Sequence, residues 1–371
     1  MLVRLALVAT TFGTNDAIFW TQWLSVVKRF GIGGAYEQSA MVNHPPLALV
    51  LIVVVDMIAQ ATHLAFTDVF RLFQVAADGV CAAALYRIGG PRLALFVLLS
   101  PGAAFVSAFH CNSDPAMIAL VVVAAALAMS GRPFLAGIAL ALAGGIKVVP
   151  FLFVPLFVLA QAREARTRFL LGFGSTAAAV FLPALMAGGL VVVKHIFGYA
   201  GGLPHEWGVP GLAFAISRNF PALREIGQDV MRAYVGYGRF VVYLAIAAVI
   251  VMAARQRRFS ILHAVAVMVL ALFAFAPGFG VQYIAWLFPL LPFALPWRGA
   301  IAVNIAGSLF LFVTYTIWSG GFPWWFADLA RPGPFRFLAA VAGYAMWAVV
   351  CFALVAAVRR FRSSPPPETA G

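Results

Sequence analysis

Apolar residues along this chain come in long unbroken runs rather than in alternation. The runs lie near 2–14, 46–62, 70–87, 93–110, 115–130, 134–160, 169–187, 234–253, 261–276, 282–297, 300–318 and 336–357. Most approach the roughly 20 residues that a helix needs to cross a bilayer. An outer-membrane barrel would alternate with a period of two, and no such pattern occurs. A segment in lipid must satisfy its own backbone hydrogen bonds, so the runs predict helices. The expected fold class is all-α, a polytopic helical membrane protein of about 12 transmembrane helices. Lys147 and Pro150 interrupt the run 134–160, which reads either as one kinked span or as two short ones. Residues 1–13 are short for a span, so a trimmed or misassigned start is expected.

Charge orients the runs. Arg163, Arg166 and Arg168, then Arg255, Arg257 and Arg258, then Arg298, then Arg359, Arg360 and Arg362 recur after every second span. Cytoplasmic loops carry the excess of Lys and Arg, which places these clusters and the C-terminus in the cytoplasm. Loops 188–233, 277–282 and 319–335 then face outward. Loops 14–45 and 188–233 are too long for connectors, and loops of that length are often functional. Within the first, Trp20, Trp23, Leu24 and Val27 recur at three- and four-residue spacing before Lys28 and Arg29. That spacing predicts an amphipathic helix over 17–30 lying in the membrane interface. Residues 1–362 read as one integral-membrane domain and 363–371 as a disordered cytoplasmic tail.

Composition excludes the other classes. Of 371 residues, 64% are hydrophobic and 10% charged, against about 45–50% and 25% in soluble domains. A soluble enzyme, a nucleic-acid binder and a disordered chain are all ruled out. The net charge of +13 reads as anchoring charge, with some left for anionic lipid or phosphate. Cys81, Cys111 and Cys351 lie far apart with no metal spacing and read as small buried hydrophobes.

Only twelve acids occur, so each can be weighed. Asp56 and Asp78 fall inside spans, where a carboxylate faces a cavity or a partner. Glu225 and Asp229 lie among Arg224 and Arg232 as solvated pairs. Asp16 closes the first apolar run on the outward side. It reads equally as a helix cap or as a general base at the membrane face. Tyr36 and His44 close the same loop just before Pro45 and Pro46, a proline pair that suits a helix start. His110, Asn112 and Asp114 form a polar cluster at a span end, where Asp114 before Pro115 is also a good cap. Lys147 is deep in an apolar run and must snorkel or pair, with a lipid phosphate as the most informative partner. Loop 188–233 holds His195, His205, Glu206, Trp207 and Arg218. Cations and aromatics over a membrane suit an anionic, sugar-bearing lipid, or simply an interfacial belt. Gln282 and Tyr283 enter the next run at an outward turn.

In this order the elements resemble the GT-C superfamily of integral-membrane glycosyltransferases. The resemblance is carried by Gly13 to Asp16, by Tyr36 and the His44–Leu47 stretch, by the 110–114 cluster followed by Lys147, and by Gln282, Tyr283 and Trp286. It covers roughly 10–300. It implies a GT-C-like bundle with an amphipathic first extracytoplasmic loop and an outward active site. It further implies inverting transfer of a hexose such as mannose from a polyprenyl-phosphate sugar to a glycolipid or envelope glycan. Asp16 would be the base; Tyr36, His44, His110, Asp114, Lys147, His195, His205, Glu206, Trp207, Arg218, Gln282 and Tyr283 would line the donor and acceptor sites. Asp16 has no immediate acidic neighbour, so no metal and no cofactor are expected. Membrane lipids are the only other partner, with no nucleic acid, and a bacterial inner membrane is the expected location. The alternative is a transporter or flippase of lipid-linked or small polar solutes, which would want internal symmetry and a midplane site.

Overall fold

The computed structural model describes residues 1–198, 206–256, 258–329 and 336–363. Positions 364–371 of the expected tail, and His205, lie outside the described residues. The chain divides into two compact units. The first is Met1–Tyr199 with Phe322–Leu329; the second is Ala200–Gly321 with Ala330–Gly371.

The first unit opens with the helices α1 (Leu2–Thr10), α2 (Asn15–Gln38), α3 (Pro46–Thr62), α4 (Phe66–Gly89), α5 (Pro91–Leu98) and α6 (Pro101–Ala104). A π-helical turn, Phe105–His110, follows α6. Then come α7 (Asp114–Met129), α8 (Pro133–Ile146), a 3-10 turn (Val149–Phe153), α9 (Val154–Ala160) and α10 (Arg163–Gly198). Pro46, Pro91, Pro101 and Pro133 each start a helix, where the missing N–H costs nothing. The ambiguous run 134–160 is therefore broken, with Lys147 in extended backbone (φ −142, ψ 141) after α8.

Helices α8 and α10 cross at two glycines. A Cβ on Gly137 would overlap the Phe169 carbonyl, and one on Gly172 the Phe134 carbonyl. Small residues let backbones approach closely where lipid offers no hydrophobic drive. Arg71 on α4 is fully buried and donates to Val8 O at 3.0 Å, Thr11 O at 2.8 Å and Ala108 O at 3.3 Å. These are carbonyls left over at the end of α1 and in the π-turn. One guanidinium thus ties together the two chain segments that lead into the site. Asp78 pairs with Arg4 at 2.9 Å, and Asp56 with Lys28 at 2.5 Å, so both intramembrane acids are spoken for by structural cations.

A two-residue parallel ladder joins β1 (Gly13–Thr14) to β2 (Phe326–Ala327). The second unit holds α11 (Gly208–Asn219), α12 (Arg224–Ala254), α13 (Ile261–Phe275), α14 (Leu291–Ala294), α15 (Trp297–Ser319) and α16 (Arg336–Ser363). Asp229 pairs with Arg232 at 2.5 Å, both exposed.

Three expectations need correction. First, one expected run is not a span; by length and composition five described helical stretches suffice to cross a membrane, or six if the bent pair Pro91–Leu98 and Pro101–His110 counts as one, so the expected 12 are not confirmed. Several runs form helices of 10–17 residues instead. The run 282–297 is not a span: it forms a 3-10 turn (Val281–Trp286) and the four-residue α14, because Pro289, Pro292 and Pro296 cannot donate to a helix. Second, much of 188–233 is helical. At 36 residues α10 would run about 54 Å, and it bends at Gly189 (φ 57, ψ −147), a conformation that favours glycine. Third, α2 does not rest its tryptophan face on the interface. Trp20, Trp23, Leu24 and Val27 are buried among residues of α3, α4 and α10. The Trp20 indole donates to Cys111 O at 2.9 Å, a partner that hydrocarbon could not supply.

Candidate active site

Asp16 lies in the first turn of α2 and is fixed from both sides. Thr14 Oγ1 accepts the Asp16 N–H at 3.3 Å and donates to His110 O at 2.7 Å. Thr14 is therefore the side chain that caps α2, which leaves the Asp16 carboxylate for other work. Gly13 has φ 117, and a Cβ there would sit 2.9 Å from Phe109 O. Only glycine lets the chain pass this close to the π-turn.

The 110–114 cluster comes from the other side. Cys111 turns back in the left-handed region (φ 65) directly after the π-turn. His110 Nε2 then lies 3.2 Å from Asp16 Oδ2, and the Asn112 amide donates to the same oxygen. Asn112 Oδ1 accepts the Asp114 N–H at 3.2 Å, and Gln74 Oε1 accepts Ala116 N–H at 3.1 Å. These two amides satisfy the start of α7. The Asp114 side chain is thereby released from capping and meets Lys147 Nζ at 2.6 Å, fully buried. Lys147, expected to seek a lipid phosphate, has a protein partner.

Electrostatics follow from these contacts. Burial opposes ionisation of Asp16. The hydrogen bond and field of His110, the Asn112 amide and the Lys147 ammonium outweigh it, so the carboxyl titrates below its ordinary range. Asp16 keeps 26% of its side chain exposed, against 4% for His110. Both protein contacts fall on Oδ2. Oδ1 has no hydrogen-bond partner among the described residues.

His44 precedes α3, with its ring 4.9 Å from Trp20 and 5.1 Å from Trp23. Its Nδ1 lies 2.8 Å from Asn43 Oδ1. An amide oxygen only accepts, so Nδ1 carries the proton and Nε2 a lone pair. That Nε2 is buried and has no partner among the described residues. Burial and the nearby Lys147 push the imidazole down to about 3, against the pull of Asp16. It is neutral at physiological pH. Buried Trp23 Nε1 and Ser113 Oγ are likewise unpartnered. Tyr36 donates to His44 O at 2.6 Å and is fully buried, which pushes its phenol above the usual range. The His195 ring, beyond the bend in α10, lies 6.4 Å from that of Tyr36.

Seven of the sequence-selected residues thus lie in the first unit as one connected set: Asp16, Tyr36, His44, His110, Asp114, Lys147 and His195. Glu206, Trp207, Arg218, Gln282 and Tyr283 belong to the second unit. There, the Trp207 indole stacks on Phe279 at 3.7 Å and donates to Phe273 O at 2.8 Å, so its face and its donor are both engaged. Tyr283 packs 4.8 Å from Trp286, and Arg218 is exposed at the end of α11. Asn112 belongs to the polar cluster already visible in the sequence, while Thr14, Asn15 and Asp328 shape the site without having been singled out. No group of three or more His, Cys, Asp or Glu fit to hold a metal ion occurs among the described residues.

Apolar helices of membrane-crossing length point to a membrane protein, and its first unit holds a carboxylate in a buried polar cluster. The sequence model of glycosyltransferase family 87 matches residues 43–277, and the chain belongs to this family of GT-C-type membrane glycosyltransferases. The match takes in His44, the 110–114 cluster and Lys147, while Asp16 precedes it. Among curated proteins, none matches the chain significantly. Family membership selects the glycosyltransferase over the transporter or flippase.

Proposed function

We propose that this glycosyltransferase moves a hexose such as mannose, with inversion, from a polyprenyl-phosphate carrier to a hydroxyl of a glycolipid or envelope glycan. The reaction would occur on the extracytoplasmic face of a bacterial inner membrane, with the C-terminus in the cytoplasm. The observation that carries this reading is the Asp16 carboxylate, held on Oδ2 by His110 and Asn112, with the buried His44 imidazole, whose Nε2 has no partner among the described residues, close enough to feel its charge. A carboxylate base and a lone imidazole acceptor suit a hydroxyl-bearing ligand.

In this mechanism Asp16 Oδ1 takes the proton of the acceptor hydroxyl as its oxygen attacks the anomeric carbon. The bond to phosphate breaks, and the carrier phosphate leaves with the electron pair. Lys147 is neutralised by Asp114, so its contribution is a field rather than a free ion. A groove of about 510 Å³ supports a lipid-linked donor. It is lined by Phe151, Phe173, Phe181 and Leu185, and the last two also pack against the core around Trp20 and Tyr36. The test is transfer from a panel of labelled polyprenyl-phosphate hexoses to native lipid extract in proteoliposomes. Wild type should transfer, and a folded Asp16→Asn protein should not. Undiminished transfer by the variant would remove Asp16 as the base.

A further inference from the structure

The stretch Phe322–Leu329 follows α15 in sequence yet packs entirely as part of the first unit. Its backbone and ring contacts reach both segments that meet at Asp16. On one side, Trp325 O accepts Phe12 N–H at 2.7 Å and Gly13 N–H at 3.3 Å. Gly13 and Thr14 then pair with Phe326 and Ala327. Asn15 completes the seam: its Nδ2 donates to Asp328 Oδ1 at 3.0 Å, and its Oδ1 accepts Leu329 N–H at 2.7 Å. The bonds run from residue 12 to residue 15 and stop one position before Asp16. On the other side, the buried Trp324 ring packs 5.1 Å from Phe105 and 4.9 Å from Phe109, in the π-turn that ends at His110.

We infer that Phe322–Leu329 is a positioning strap for the glycosyl-transfer site, with Asn15 and Asp328 as its positioning residues. It holds the Asp16 turn against the His110 turn and so sets the contact between the two side chains. This inference rests on Asp16 being the base. The backbone of 12–14 lies between α1 and α2 with no helix to satisfy its polar groups, and the strap supplies their partners. A displacement of the base by an ångström or so is enough to lower turnover strongly without weakening binding.

The test uses the full chain in proteoliposomes with labelled polyprenyl-phosphate mannose and native lipid extract, comparing Asp328→Ala, Asp328→Asn and Asp16→Asn. Asp328→Ala should lower kcat by about ten- to a hundredfold with donor KM unchanged. It should also raise the acid limb of the kcat profile, because Asp16 loses His110. Asp328→Asn keeps an oxygen for Asn15 and should restore both. Amide hydrogen exchange, which needs no substrate, should be faster over 12–16 in Asp328→Ala than in wild type or Asp328→Asn. Unchanged exchange and turnover in Asp328→Ala, with Asp16→Asn inactive, would overturn the strap and leave the base in place. Transfer surviving Asp16→Asn would overturn the base, and the positioning role with it. Faster exchange without any change in kcat would reduce the strap to a purely structural element and overturn the inference as well.

Discussion

Asn112 divides its side-chain amide between two aspartates: the NH2 goes to Asp16 Oδ2, and the oxygen receives the Asp114 N–H at 3.2 Å. One residue thus frees Asp114 to neutralise Lys147 and fixes the carboxylate proposed as the base. Replacing Asn112 with Asp would set a second negative charge against Asp16 and remove its donor. Its acid limb of activity should move upward, read from a kcat–pH profile.

Asp16→Asn should cost about 10²- to 10⁴-fold in kcat, the range for a positioned acid–base group. The pH dependence has a definite sign. Asp16 titrates below its ordinary range, so its ionised form persists on acidification past the usual carboxylate pKa of about 3.9. Wild-type kcat should show no limb from this group until below that value. His110→Gln removes one of the stabilising contacts, and the limb should rise toward the ordinary value.

His44 gives a second pH signature, in stability. Its folded pKa is about 3, against about 6.5 when unfolded. Between these values the unfolded chain binds the extra proton. The protein should lose stability as pH falls from about 6.5 toward 3, and regain it as pH rises. His44→Gln should flatten that part of a plot of Tm against pH in detergent.

Lys147 and Asp114 are a buried pair, and removing one partner strands the other. Lys147→Met alone should destabilise by about 3–5 kcal/mol. Adding Asp114→Asn should recover much of that loss, since the stranded charge goes with it. Thermal denaturation of the two single variants and the double variant measures the coupling.

Gly172→Val should be poorly tolerated on packing grounds alone. The new side chain would overlap the Phe134 backbone carbonyl at the α8–α10 crossing, and backbone cannot step aside as a flexible side chain can. Loss of the monodisperse peak in size-exclusion chromatography is the expected readout.

Much of the helix pattern was legible because apolar runs and helix-starting prolines are local. Asp16, His110, Asp114 and Lys147 could each be picked out as polar residues among apolar ones. Their meeting could not be read, because it depends on the π-turn and on Cys111 in the left-handed region, and neither has a periodic signature. The face of α2 was visible in the spacing of Trp20, Trp23 and Val27. Spacing does not say whether such a face meets lipid or protein. Asp328 was illegible as a neighbour of Asn15, since an irregular stretch carries no register. The apolar stretch after Gln282 misled because hydropathy outweighed three prolines that forbid a long helix.

The π-turn at Phe105–His110 makes the site sensitive to chain length as well as to residue identity. A π-turn accommodates one residue more than regular winding would. Each residue of an α-helix advances the next by about 100°. Inserting one further residue after Val106, beyond the one the turn already absorbs, would therefore swing His110 by roughly that angle, away from Asp16, with every functional side chain still present. A single-codon insertion there should act like an active-site mutation, while substitutions at Val106 that preserve bulk should leave the alignment intact.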